Sequence, residues 1–167
     1  MITAGYCRVM ARYNRWQNAS LIEAAGGLDE AARQADRGAF FGSIHGTLSH
    51  LLWADTIWMS RFDGGAPPGV GIPDSPGFAG PWPALCEARA RMDARILDWA
   101  GTLDDAALDA TLSWYSGALG RDMEKPISVC IAHFFNHQTH HRGQAHAMLT
   151  AAGARPEDTD LFAMEGL

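Results

Sequence analysis

The stretch His133-Phe-Phe-Asn-His-Gln-Thr-His-His-Arg-Gly-Gln144 decides how this chain is read. It lies inside a segment that opens near Pro126-Ile127-Ser128 and runs to about Ala152, with Gly153 as its stop. At about 100° per residue, Ile131, Phe134, Ala145, Met148 and Leu149 fall within about 60° of Ile127. That is the buried stripe of a long helix. Gln138 and His141 fall on the same stripe, and His137 sits just beyond its edge. His140 and His146 point away, and His133 lies one turn before His137. The helix is amphipathic, but its inner face is broken in the middle by polar side chains.

Working outward, three more segments carry helical periodicity. Tyr6 to Ala25 places Val9, Met10, Tyr13, Trp16 and Leu21 at helical spacing, and Gly26-Gly27 ends it. A short polar stretch, Leu28-Asp29-Glu30, follows. Ser43 to Phe62 puts Ile44, Leu48, Leu51, Asp55, Trp58 and Phe62 on one broad stripe. Pro83 to Ala100, closed by Gly101, buries Leu85, Ala88, Met92, Ile96 and Trp99. Between the second and third of these, Gly64 to Pro83 is rich in glycine and proline and has no period. Loops of that length inside a compact domain often cover a site or an interface. Between Ala110 and Pro126 the pattern changes. Thr111-Leu-Ser-Trp-Tyr115 alternates in β-forming residues, and Gly117-Ala-Leu-Gly120 supplies a turn, which predicts a small β-hairpin. The expected fold is all-α: an up-and-down four-helix bundle with a small β-hairpin between helices 3 and 4.

Length and composition agree with one domain spanning 1–167. A chain of 167 residues with 47% hydrophobic and 19% charged residues can build a core without staples. Its net charge of -6 and its lack of any basic run argue against a nucleic-acid partner. No stretch approaches the roughly 18 apolar residues of a membrane span. No leader pattern opens the chain, so a cytoplasmic location is expected. The three cysteines, Cys7, Cys86 and Cys130, are odd in number and form no Cys-x-x-Cys, which fits a reducing compartment.

The seven histidines are the informative feature. His45 and His50 lie in the second helix, and His133, His137, His140, His141 and His146 lie in the fourth. A polar group on a core face needs a partner, since unpaired burial costs about 1–3 kcal/mol. Imidazoles at i and i+4 face one way and can share one metal ion, and His137 and His141 have that spacing. A third imidazole from another helix would leave the fourth position open. Hydrogen bonds alone satisfy many inward histidines, and i, i+4 pairs recur by chance, so periodicity leaves both readings standing. The chain has no His-Glu-x-x-His of the zinc proteases. It also lacks the Glu-x-x-His of ferritin-like di-iron bundles. On the second helix, His50 lies about 120° from the centre of the stripe and His45 about as far on the other side. Periodicity does not choose between them.

The quoted stretch resembles the final-helix signature of the DinB-like (YfiT-like) metalloenzyme family. Ser49-His-Leu-Leu-Trp-Ala-Asp55 resembles the second-helix signature of that family. Tyr13-Asn-Arg-Trp-Gln-Asn18, Ala152-Gly-Ala-Arg-Pro156 and Asp160-Leu-Phe162 extend the resemblance over nearly the whole chain. The resemblance implies a four-helix bundle whose three histidines bind a divalent metal, zinc or nickel. By motif position those ligands are His50, His137 and His141. It further implies a homodimer and, in several branches, a thiol-dependent transferase or isomerase.

A metal on three neutral imidazoles keeps its double positive charge. It can then activate water, which gives a hydrolase, or take a substrate thiolate, which gives an S-transferase. The substrate would be a small molecule, with a low-molecular-weight thiol as one reactant. Asp55 and His133 are the candidates for a general base, with Asp55 as an alternative helix or imidazole orienter. Cys130 shares a side of its helix with His137 and is read as a small buried residue rather than a fourth ligand. The rival readings are a non-catalytic metal-binding stress-response protein and a dimerisation module.

Overall fold

The structure is a computed structural model that describes residues 1–166. Four long helices dominate it: α1 (Ala4–Gly26), α3 (Ile44–Phe62), α4 (Trp82–Thr102) and α5 (Ile127–Ala151). The short α2 (Glu30–Gln34) occupies the region after Leu28-Asp29. Two strands, β1 (Thr111–Ser116) and β2 (Arg121–Pro126), pair antiparallel with Thr111 opposite Pro126 and Ser116 opposite Arg121. The fold is thus mostly helical with one small sheet. Side-chain caps set the starts of two of the long helices. Thr3 accepts from the Tyr6 amide and Ser43 from the Gly46 amide, both at 3.0 Å, each satisfying a donor that the first turn leaves free.

Pairwise contacts fix the helix directions. His50 meets His137 and His141, Trp58 meets His133 and Phe62 meets Phe134, so α3 and α5 run antiparallel. Arg8 reaches Leu103 and Asn18 reaches Asp93, so α1 and α4 are antiparallel too. Tyr6 packs on Phe135 and Arg142 donates to Asn14, so α1 and α5 are parallel. Asp55 pairs with Arg89, and Asp63 with Arg95, so α3 and α4 are parallel. The order of directions is up, down, down, up. This corrects the expected simple up-and-down bundle.

The physical reason is the long Gly/Pro-rich connection. A 19-residue helix such as α3 is about 28 Å long. The connection from Asp63 to Pro81 climbs back along it before α4 begins. Val70 accepts from the Trp53 indole, Ser75 from the Ser49 hydroxyl, and Gly80 from the His45 ring, at 2.8, 2.8 and 2.9 Å. The segment is therefore not the structureless loop its composition suggests. It contains a 3-10 turn, Ile72–Gly77, that lies on α3.

The core is divided into two apolar layers. Leu52, Met59, Ile96, Trp99, Ile131 and Phe134 make one. Leu21, Ile44, Leu48, Leu85, Met148 and Leu149 make the other. Between them lies a polar layer drawn from all four long helices. Arg89 donates to Asp55 at 2.6 Å and to Asp93 at 2.8 Å. Gln138 donates to the other Asp55 oxygen at 2.9 Å, and Asn18 to Asp93 at 2.8 Å. Burial alone would pull the Arg89 guanidinium down, but Asp93 and then Asp55 hold it above its ordinary value.

Candidate metal centre

The polar break in the fourth-helix stripe and one face of α3 meet beside this layer. One ligand atom from each of His50, His137 and His141 lies within 4.8 Å of the others. His50 and His141 are buried and His137 is half-buried. Among the described residues no cysteine, aspartate or glutamate joins this group. His45 faces elsewhere, donating from Nε2 to the Gly80 carbonyl. His140 is exposed and His146 half-buried, and neither belongs to the cluster.

Hydrogen bonds orient two of the rings. The Ser75 hydroxyl gives its proton to the Ile72 carbonyl at 2.7 Å, so its oxygen accepts from His50 Nδ1 at 2.7 Å. The proton of His50 is thereby placed on Nδ1, and Nε2 keeps its lone pair. His141 Nδ1 donates to Gln144 Oε1 at 2.7 Å, which frees its Nε2 in the same way. His137 Nε2 stands 3.1 Å from His141 Nε2. Two imidazole nitrogens on one tetrahedral ion, each at 2.0–2.1 Å, stand about 3.3 Å apart. The donor set and its spacing fit a divalent metal ion.

Burial keeps the rings neutral, as metal ligation demands. It pushes His50 down to about 3, with His141 adding to the shift. It pushes His137 down to about 3 as well, with His141 and His50 adding. His141 is lowered by the same cause. Phe41 stacks on His50 with ring centroids 3.7 Å apart, and Trp53 lies against the same ring at 5.6 Å. These rings shield the cluster from water and strengthen that shift.

The other expected residues are placed differently. Asp55 is buried with both oxygens engaged, by Arg89 and by Gln138. It belongs to the polar layer behind the imidazoles. His133 is exposed, with its ring 5.6 Å from that of His137. Cys130 is buried, and its thiol is pushed up by burial. Ser75, Phe41 and Gln144 are the supporting residues that sequence reasoning missed. Gln144 had a signal, being three residues after His141 on one helix. Ser75 lies in a segment without a period, and Phe41 outside any helix, so neither had one. A cleft of about 610 Å³ between α1 and α4 contains none of the three imidazoles. Chemistry, not volume, marks the site.

The model of the DinB family matches residues 1–166. Among solved structures, a DinB-like protein from Bacillus cereus ATCC 10987 superposes with a TM-score of 0.62 at 16% identity. The match covers 86% of this chain and 90% of that one, and it is a likeness of fold. No curated protein matches the chain.

Proposed function

The chain belongs to the DinB family, and from the imidazoles that converge inside its helical fold we propose that it is a divalent-metal-dependent enzyme acting on a small molecule. The observation that carries this reading is the trio His50, His137 and His141, neutral by burial and with the Nε2 atoms of His50 and His141 freed by partners on Nδ1. These three residues would hold zinc or nickel. The ion would supply Lewis acidity beside an open position, towards a thiolate or towards water. Ser75 and Gln144 fix the ring orientations of His50 and His141. Phe41 and Trp53 exclude water from the His50 side.

Between the two chemistries, thiol transfer is favoured. A hydrolase of this kind gains most from a free carboxylate base, and Asp55 is fully engaged. A thiol needs only to lose its proton. His133, one turn from His137, has no hydrogen-bond partner among the described residues, and although its side chain reaches solvent, partial desolvation together with Arg61 lowers its basicity. The reactants on this reading are a low-molecular-weight thiol and a small electrophile.

Elemental analysis of the purified protein tests the metal directly. About one zinc or nickel per chain is expected, and none in the His137→Ala, His141→Ala double variant. Protein that neither carries metal nor takes it up on addition would overturn the proposal. A finer test uses Ser75→Ala. It removes the acceptor for His50 Nδ1 and leaves all three ligands in place. A chromophoric chelator in competition should report metal binding about 10–100-fold weaker, with unchanged helicity. An unchanged affinity would show that Ser75 does not orient His50.

A further inference from the structure

Below the imidazoles, a run of aromatic rings continues along the packing of α3 against α5. His133 lies one turn before His137 on α5, and its ring is 5.1 Å from Trp58 on α3. Trp58 in turn meets Trp114 of strand β1 at 5.6 Å, edge to face. The Arg61 guanidinium lies over both indoles, 4.5 Å from the Trp58 ring and 5.4 Å from that of Trp114. The hairpin thus meets the last turns of α3 with a cation held against two indoles.

Arg61 differs from every other buried or half-buried arginine among the described residues. Arg33, Arg89 and Arg95 each have a carboxylate partner, Arg142 has Asn14, and Arg12 and Arg37 donate to main-chain carbonyls. Arg61 is half-buried, yet it forms neither an ion pair nor a hydrogen bond with any described residue. The indoles attract its charge through their faces but offer no acceptor to its N–H groups. Burial lowers its basicity, as befits a desolvated charge without a counter-ion. Its N–H groups meet no acceptor among the described residues, and a guanidinium fork matches a carboxylate in two parallel hydrogen bonds.

We propose that Arg61, held by Trp58 and Trp114, is the subsite that binds a carboxylate of the thiol substrate whose sulfur goes to the imidazole cluster. This deepens the proposed function and rests on it for the thiol end only. The specificity it confers is for thiols that carry an acid group some distance from the sulfur.

Four probes separate the two ends: 6-mercaptohexanoate, 6-mercaptohexanol, hexanoate and hexanol. Each is titrated into the zinc-treated protein and followed by tryptophan fluorescence, to which Trp58 and Trp114 contribute. Each acid should bind about 10–100-fold more tightly than its alcohol. Arg61→Gln should erase that preference while leaving 6-mercaptohexanol binding and zinc content unchanged. Arg61→Lys, which keeps the charge without the planar fork, should retain part of it. If the acids show no preference in the wild type, show no saturable binding, or keep their preference in Arg61→Gln, the subsite is wrong. Failure of the metal reading looks different. The thiols would then bind no better than their sulfur-free twins, while the acid preference would persist and would still depend on Arg61.

Discussion

Replacing Arg89 with Met will lower the unfolding free energy by about 3–5 kcal/mol. Arg89 is 3% exposed and bridges Asp55 on α3 to Asp93 on its own helix. Without it, two carboxylates remain between the apolar layers with amide donors and only the Arg142 guanidinium, which neither of them hydrogen-bonds, as a nearby positive charge. Removing one partner of a buried ion pair is far worse than replacing the whole set by apolar residues, because the charge left behind keeps its full desolvation penalty. For a chain of this size the loss corresponds to a midpoint about 6–20 °C lower. Arg89→Lys should recover only part of it, since an ammonium cannot span both carboxylates as the fork does. Urea unfolding measures both. A loss under about 1 kcal/mol would show that the layer rearranges around the missing cation. The layer also holds α3 and α5 in register, through the bond from Gln138 to Asp55. It therefore sets the distance from His50 to the other two imidazoles.

The metal-free protein will lose stability steeply as pH falls below about 6.5. His50 and His137 are held at about 3 in the folded chain by burial, and an unfolded chain returns them to about 6.5. Between those values the unfolded state binds more protons than the folded state. Stability therefore rises with pH through this window, is fully present above it, and is lost as pH falls towards 3. The limiting slope is about 1.4 kcal/mol per pH unit for each proton, and solvent at half-buried His137 reduces its share. His141 and His133 are shifted in the same direction and add to the slope. Urea midpoints of chelator-treated protein between pH 7 and pH 5 isolate the effect, because ordinary carboxylates titrate lower. His137→Gln should flatten the curve by up to one proton. A wild-type midpoint that stays level from pH 7 to pH 5 would refute the buried neutral state. Bound zinc would steepen the acid loss further, since it binds only unprotonated imidazole.

Local pattern carried much of this molecule. The four long helices fall within a few residues of the segments read from periodicity, and the hairpin pairs where its alternation begins. That is because helical and strand spacing are properties of consecutive residues, and each buried face is written into its own segment. For the same reason the inward turn of Gln138 and His141 was legible, and both are buried. The choice of His50 over His45 was not legible from periodicity. Both are buried on a helix that is covered on nearly every side from Ser43 to Asp55, and the resemblance to a family made the selection.

Tertiary structure alone decided what depends on direction and distance. From its segment alone Asp55 is a candidate base or an orienter of a helix or imidazole; α4 brings Arg89 against it and Gln138 takes its other oxygen. The parallel course of α3 and α4 follows from a connection that binds α3 through main-chain carbonyls, which have no sequence signature. Ser75 reaches His50 for that reason, 25 residues away along the chain. Trp114 and Arg61 meet because the hairpin folds over the end of α3. Segment-level spacing determines which elements form and which faces they bury. Which faces meet is settled only when the chain closes on itself, because those contacts join residues whose separation along the sequence no local period encodes.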